Sequence, residues 1–435
     1  MKINKAYKYR LEPNAEQEVI LNNLVGSARF VWNQMLAISF EMFAKNEHIN
    51  ATNLVNKIMD LKNNPDFAFL KTHANAVALQ QKVRDLASAW SRFFDPKAHA
   101  RFKENKRKPR KPKLFKLNAG TEIELRPLMP RFKHKSDGRD SIRLVQFDKY
   151  CRIDGNRVKL PNGVGFVKFR KSREIVGTIK NITISKKSGR WYVSIGVEKE
   201  LTESPKHPST SALGIDLGIS KLISTSNGEY IKPKNSFKAK QIKLAKLQRD
   251  LARKVKFSQN WKKQNRKIQK LHQHIANIRH DYLHKVTTTL SKSHAMIVVE
   301  DLKVANMSKS ASGTLDNKGR NVKAKSGLNK SILDQGWGMM VDMLEYKQKW
   351  QGGILIRVDP KYTSQACFEC KHIAKENRQT QAKFECVKCG YKANADFNAA
   401  RNILAAGHAV LSVKGGCSKG RPLMQKTSEV REEVT

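Results

Sequence analysis

Apolar residues between Glu12 and about Lys97 recur at three- and four-residue steps, the period of helices with one buried face. Leu21, Leu24, Val25, Ala28, Val31, Trp32, Met35 and Leu36 fall on one stripe. Val77, Leu79, Val83, Leu86, Ala87, Trp90 and Phe94 fall on another and predict a second helix from Asn75 to Phe94. Ahead of them, KINKAYKYRL (2–11) reads as a strand in which basic and aromatic residues mix. Residues 98–116 are basic and proline-bearing and read as a connector or a nucleic-acid-facing loop. From about 120 to 200 the period shortens to that of strands. IRLVQF (142–147), CRIDGNRVKL (151–160), GFVKF (165–169), GTIKNITIS (177–185) and RWYVSIGVE (190–198) are short runs separated by turn residues. Lys187-Ser188-Gly189 predicts a hairpin closure. If the N-terminal strand joins this group, the helices are an insertion into a small barrel or open sheet.

A second unit is predicted from near Ser211. ALGIDLGISKLIST (212–225) reads as two strands around a tight turn, 236–292 as two long charged helices, and AMIVVEDL (295–302) as a short apolar strand ending in acid. Residues 304–328, rich in Ser, Gly, Asn and Lys, predict a mobile loop that could cover a site or serve as a passive linker. Lys330 to Trp350 reads as helix, GILIRVD (353–359) as strand and NADFNAARNILAAGHAVL (394–411) as helix. The polar tail from Ser412 is expected to be disordered.

Composition narrows the partner. Among 435 residues there are 84 Lys and Arg against 38 Asp and Glu, a formal charge of +46. The excess is spread through 103–116, 234–285 and 319–325, so a long contact with a polyanion fits better than one small patch. A hydrophobic content of 39% is enough for real cores and argues against wholesale disorder. No apolar run is long enough to cross a membrane. The start, MKINKAYKYRLEP, lacks a signal-peptide stretch, so a cytoplasmic location is expected. The six cysteines, four of them between Cys367 and Cys389, do not form a secreted disulfide pattern.

Two sets of residues carry chemistry. Asp216 interrupts the apolar strand GIDLGI, Glu300 ends MIVVE, and Asp396 stands at the start of the last helix. Burying a lone carboxylate costs several kcal/mol, on the order of what a cation or hydrogen bonds must offset. Three acids at the ends of neighbouring strands could hold magnesium or manganese on a phosphodiester. Each alone has a plainer reading: a turn acid at Asp216, a surface strand end at Glu300-Asp301, a helix cap at Asp396. The trio and its order carry the signal. The second set, Cys367, Cys370, Cys386 and Cys389, has C-x2-C-x15-C-x2-C spacing, that of two knuckles around a closed structural zinc. Its place in the chain suggests that it braces the segment delivering Asp396.

GIDLGI, VVEDL, TSQACFEC…CVKC and DFNAARNI, in this order, resemble the TnpB (OrfB) family of bacterial insertion sequences, which is similar to type V CRISPR effector nucleases. The resemblance extends, more loosely, to KAYKYRLEPNAEQE and ALQQKVRDLASAW. It implies RNA-guided, metal-dependent cleavage of double-stranded DNA beside a short adjacent motif, with one chain per guide RNA, no membrane, and a nucleoid-associated setting. It implies Asp216, Glu300 and Asp396 as catalytic magnesium ligands and the four cysteines as zinc ligands. It places Arg401 and Asn402 beside the third acid, and Gln80 and Gln81 on a helix near the adjacent motif. Both glutamines could equally be solvent-facing helix residues. The implied fold is a ribonuclease-H-like RuvC domain (211–366 and 391–411) with an inserted zinc-ribbon (367–390). A wedge-like β-barrel (1–12 and 113–205) with a helical recognition region (13–112) precedes it, and 412–435 is the tail. Two alternatives remain: a transposase or integrase that joins strands with the same acids, and a DNA-binding repressor that does not cut.

Overall fold

The computed structural model describes residues 2–99, 113–116, 122–135, 138, 140–145, 147–200, 206–313 and 319–415. The chain divides into two compact units, Met1–Thr202 and Glu203–Thr435.

The first unit begins with β1 (Lys2–Glu12) and passes into α1 (Ala15–Ala44), α2 (Ala51–Asn63) and α3 (Ala76–Phe94). A small hairpin, β2 (Lys113–Lys116) with β3 (Glu122–Leu125), follows. Then come β4 (Ser141–Leu144), β5 (Arg152–Asp154), β6 (Arg157–Leu160), β7 (Gly165–Phe169), β8 (Thr178–Lys187) and β9 (Arg190–Glu200). Seven of these strands pair antiparallel in the order β4-β8-β9-β1-β7-β6-β5. The N-terminal strand is therefore central to the sheet, and β4 and β5 are its edges among the described residues. Lys187 pairs with Arg190 around Ser188 (φ 50°) and Gly189 (φ 75°), the two left-handed residues that a primed hairpin turn demands.

α1 starts where the sequence supplies a capping box: the Gln17 amide donates to Asn14 Oδ1 (2.8 Å) and the Asn14 amide to Gln17 Oε1 (3.1 Å). The Gln17 side-chain amide also donates to the carbonyls of Val164 and Phe166, tying the helix start to the sheet. The apolar stripes of α1 and α3 meet in one core around Trp90, whose indole N–H donates to Ser39.

The second unit is built on a mixed sheet: β10 (Ala212–Asp216), β11 (Ile223–Thr225), β12 (Tyr230–Ile231), β13 (Met296–Glu300) and β14 (Ile354–Val358), ordered β12-β11-β10-β13-β14. β10, β13 and β14 run parallel, and β11 and β12 antiparallel. α4 (Gln241–Ala252) and α5 (Gln259–Ser293) form a helical hairpin between β12 and β13. α6 (Val322–Gln335) and α7 (Trp337–Gln351) precede β14, and α8 (Ala395–Gly415) ends the described chain. Leu213, Ile215, Ile297 and Val299 face a core shared with α5 and α7. On the other side, Met296, Val298, Ile356 and Val358 pack with Ile403 of α8.

Several expectations change. The stretch 304–328 is not a continuous loop: Val304–Met307 is helical and α6 already starts at Val322, while 314–318 lie outside the described residues. Lys325 Nζ donates to the Met307 carbonyl and the Asn329 amide to the Lys309 carbonyl, so polar residues that read as loop instead tie its two ends together. The helix expected over 330–350 is two helices broken at Gly336 (φ 72°), where a Cβ would meet Arg279 and Leu283 side chains at 3.1 Å. α8 continues through Ser412 to Gly415, beyond the expected end at 411. Residues 416–435 of the tail and 100–112 of the basic connector lie outside the described residues.

Candidate functional site

β10 and β13 run parallel in register, Ile215 opposite Val299, so Asp216 and Glu300 follow as neighbours at the same strand ends. Side chains alternate along a strand. Because Ile215 and Val299 face the α5–α7 core, the two acids project to the opposite side, the side covered by α8. Asp396 is in the first turn of α8, and its amide donates to Asn394 Oδ1 (3.1 Å). The three acids therefore share one face and one end of the sheet.

Two glycines let α8 lie that close. A Cβ on Gly214 would fall 2.2 Å from the Ala400 carbonyl oxygen, and one on Gly407 would fall 2.3 Å from Val298 Cγ2.

The charges interact. Burial pushes the Asp216 carboxyl up to about 7, helped by the negative charges of Glu300 and Asp396 and opposed by Arg378 and the Leu217 amide. Burial also raises Glu300, although the Thr363 hydroxyl donates to its Oε1 and Arg378 is near. Asp396 is paired with Lys221 (3.5 Å) and more loosely with Arg378 (3.9 Å). Asp216 and Glu300 therefore resist full ionisation until more positive charge arrives.

The cysteines form the one group of three or more His, Cys, Asp or Glu whose ligating atoms all lie within 4.8 Å of one another, among the described residues. Sγ–Sγ separations are 3.7 Å (Cys367–Cys389) and 3.5 Å (Cys370–Cys386). Those are too long for disulfides. They are close to the roughly 3.8 Å edge of a tetrahedron with metal–sulfur bonds of about 2.3 Å, so the donor set fits a thiophilic tetrahedral ion. From this cluster the chain runs through β15 (Lys383–Glu385) and β16 (Lys392–Asn394), an antiparallel pair, straight into α8. The Ala395 amide donates to the Ala382 carbonyl (2.9 Å), fixing that junction.

α8 also reaches back to the first cysteine pair. Asn398, fully buried, donates to the Ala366 carbonyl and accepts from the Phe368 amide. Asn402 donates to the carbonyls of Thr363 and Ala366. One segment thus holds Glu300's hydrogen-bond donor, Thr363, and the first ligand knuckle. Arg401 lies with its guanidinium 3.6 Å from the Phe368 ring centre and contacts Glu369 and the Tyr391 hydroxyl, on the cysteine side of α8.

In the first unit, Gln80 is exposed, but Gln81 is buried and its Oε1 accepts from Arg143 (3.1 Å). Gln81 is therefore not a solvent-facing residue of α3.

Sequence reading missed Arg378, Lys221, Thr363 and Asn398. Asn398 had a signal, since it is spaced i,i+4 with Asn402 on one helix. Thr363 had one as well, as the first residue of the motif TSQACFEC, whereas Arg378 arrives on an irregular segment and had none.

Three family models match: "Probable transposase" over 192–311, "Cas12f1-like, TNB domain" over 337–403 and "Helix-turn-helix domain" over 1–48. The protein "Putative RNA-guided DNA endonuclease InsQ" of Escherichia coli (strain K12) is 47% identical over 431 residues, 99% of each chain. The chain belongs to the TnpB (OrfB) family. A "Putative RNA-guided DNA endonuclease" of Streptomyces pristinaespiralis is 29% identical over 99% of this chain and 96% of that one. Among solved structures, the mini-RNA-guided endonuclease CRISPR-Cas_phi3 aligns with a TM-score of 0.47 at 13% identity, over 97% of this chain and 94% of that one. The segment matched as helix-turn-helix is, in this TnpB-family chain, the strand β1 followed by the single 30-residue helix α1.

Proposed function

We propose that this protein is an RNA-guided endonuclease that cuts double-stranded DNA beside a short adjacent motif, acting in the cytoplasm on nucleoid DNA. The observation that carries the reading is the gathering of Asp216, Glu300 and Asp396 on one face and end of the β10–β13 sheet. The mixed sheet with α8 on the acid-bearing face supports a ribonuclease-H-like, RuvC-type domain. The antiparallel sheet of the first unit supports a wedge-like role, with α1–α3 as the recognition region. The end-to-end likeness to relatives named as RNA-guided DNA endonucleases, together with the +46 charge, supports the guide and target as partners.

The three acids would hold magnesium or manganese, which supplies an activated water and a neutralised leaving oxygen. Thr363 orients Glu300, and Arg378 and Lys221 offset the carboxylates' mutual repulsion. Cys367, Cys370, Cys386 and Cys389 would hold zinc, which braces β16 and the start of α8. The test pairs a gel-shift with a cleavage gel, using protein carrying its copurified RNA. Asp216→Asn, like chelation of magnesium in the wild type, is expected to bind target and not cut. Cutting at the wild-type rate overturns the reading, and ligated products in place of cut ends would favour strand transfer.

A further inference from the structure

The hairpin α4–α5 carries a feature that cleavage chemistry does not use. Its tip, Arg253–Ser258, is exposed and both basic and apolar. Val255 is 79% exposed and Phe257 64%. Within 248–270, Arg249, Arg253, Lys254, Lys256, Lys262, Lys263, Arg266, Lys267 and Lys270 face the single acid Asp250.

Phe257 has φ 68°. A bulky side chain in the left-handed region is a strained arrangement, normally left to Gly or Asn. The surrounding contacts hold it there: the Ser258 amide donates to the Val255 carbonyl (3.1 Å), and Ser258 caps α5 through the Trp261 amide (3.2 Å). The ring meets Trp261 edge-on at 5.5 Å, and Lys256 Nζ lies 5.1 Å from its centre. Folding stability would favour burying this ring or replacing it with glycine. Instead one face of the turn presents an aromatic plane with a cation beside it, in a basic segment, the composition of a base-stacking platform.

The tip's position selects the partner. α5 has 35 residues and is therefore about 50 Å long. Its far end leads into β13 and Glu300, while the tip lies at its beginning. The strand segment being cut, at Glu300, is not what the tip can reach. The target strand is paired with the guide and the displaced strand is led to the acids at the other end of α5, whereas a folded RNA offers unstacked loop and end bases away from them.

We propose that the α4–α5 tip is an RNA-binding site in which Phe257 stacks on an unpaired or terminal base of the guide RNA, with the phosphates on either side held by the basic residues of the tip. This rests on the reading of the protein as RNA-guided.

The test uses the full chain and the RNA that copurifies with it, resynthesised, in filter binding and in footprinting of the RNA's 2′-hydroxyls. Phe257→Gly removes the ring and relieves the backbone, and an unchanged melting temperature and helical circular dichroism check that the tip keeps its fold. It is expected to weaken RNA binding about tenfold, as loss of one stacked base does. It is also expected to expose one or two nucleotides that the wild type protects. Phe257→Trp is expected to restore both. Unchanged affinity and footprint in Phe257→Gly, with RNA bound normally, overturn this proposal and leave the endonuclease reading standing. Absence of RNA binding by the wild type overturns both.

Discussion

Gly214 lies directly under α8, where any Cβ would fall 2.2 Å from the Ala400 carbonyl oxygen. The clash would be with helix backbone, not with the end of a flexible side chain, so α8 itself would have to move. Asp396 begins that helix and Asp216 ends the strand that carries Gly214. The distance between two acids is therefore set by a hydrogen atom at a third position.

Gly214→Ala should accordingly disable cleavage more than it unfolds the protein. Overpacking of this kind costs about 1–3 kcal/mol. A shift of about 1 Å at a catalytic group can cost on the order of a hundredfold in rate. Thermal melting and single-turnover cutting, measured on the same preparation, check this. Gly338→Ala, where a Cβ meets nothing within 4 Å, is the control and should leave both unchanged. A Gly214→Ala protein that cuts normally would mean that α8 does not set the acid geometry.

The cysteine cluster should be a structural brace. Protein purified in metal-free buffer after a chelator wash should retain about one zinc per chain. Cys386→Ser should lower the melting temperature and release the start of α8, so cleavage falls together with stability. Elemental analysis and melting curves check it, and a well-folded wild type without zinc would rule it out.

The acids and cysteines were legible in the chain because each is marked locally: a carboxylate in an apolar strand, a thiol at fixed spacing. The roles of their companions were not. Arg378 comes from the irregular segment between the two cysteine pairs and Thr363 from the turn after β14, and only the fold brings them to Asp396 and Glu300. The helix pattern placed α3, but not Gln81's partner, because Arg143 comes from β4, 62 residues later. The break at Gly336 also depends on a neighbour, the close passage of α5, and helical periodicity runs straight through it.

The glutamines of α3 should now separate. Gln81→Ala removes an acceptor from Arg143 and should cost roughly 1 kcal/mol of stability, so any change in adjacent-motif preference would follow from a displaced Arg143. Gln80→Ala should leave stability unchanged, and a changed motif preference there would report direct reading of base edges. A cleavage library with randomised flanks, run beside melting curves, distinguishes the two. Unchanged motif preference in both variants would remove α3's glutamines from target reading.

Asp216 makes the last prediction one of sign. Its carboxyl is raised from the ordinary aspartate value of 3.8 to about 7, mainly by burial and then by Glu300 and Asp396. A raised folded-state value means that the unfolded chain gives up this proton more readily. The neutral form is favoured in the fold, so its contribution to stability is present below about pH 4 and is lost progressively as pH rises to about 7. Above pH 7 the metal-free protein carries the full cost of a buried charge. Asp216→Asn, which keeps shape and removes the charge, should raise the melting temperature in chelator at pH 8, by about 2–4 °C for each kcal/mol relieved. It should do so little at pH 4. Magnesium should stabilise the wild type at pH 8 and leave the variant nearly unchanged, because a bound cation supplies the positive charge that the carboxylate otherwise lacks. For the same reason the affinity for magnesium should rise with pH up to about 7, as the metal-free carboxyl ionises, and cutting at limiting magnesium should rise with it. Melting curves at the two pH values, with and without magnesium, check each step. A variant no more stable than the wild type at pH 8 would show that Asp216 is already compensated within the fold, by Arg378 and the Leu217 amide, and is not waiting for a metal.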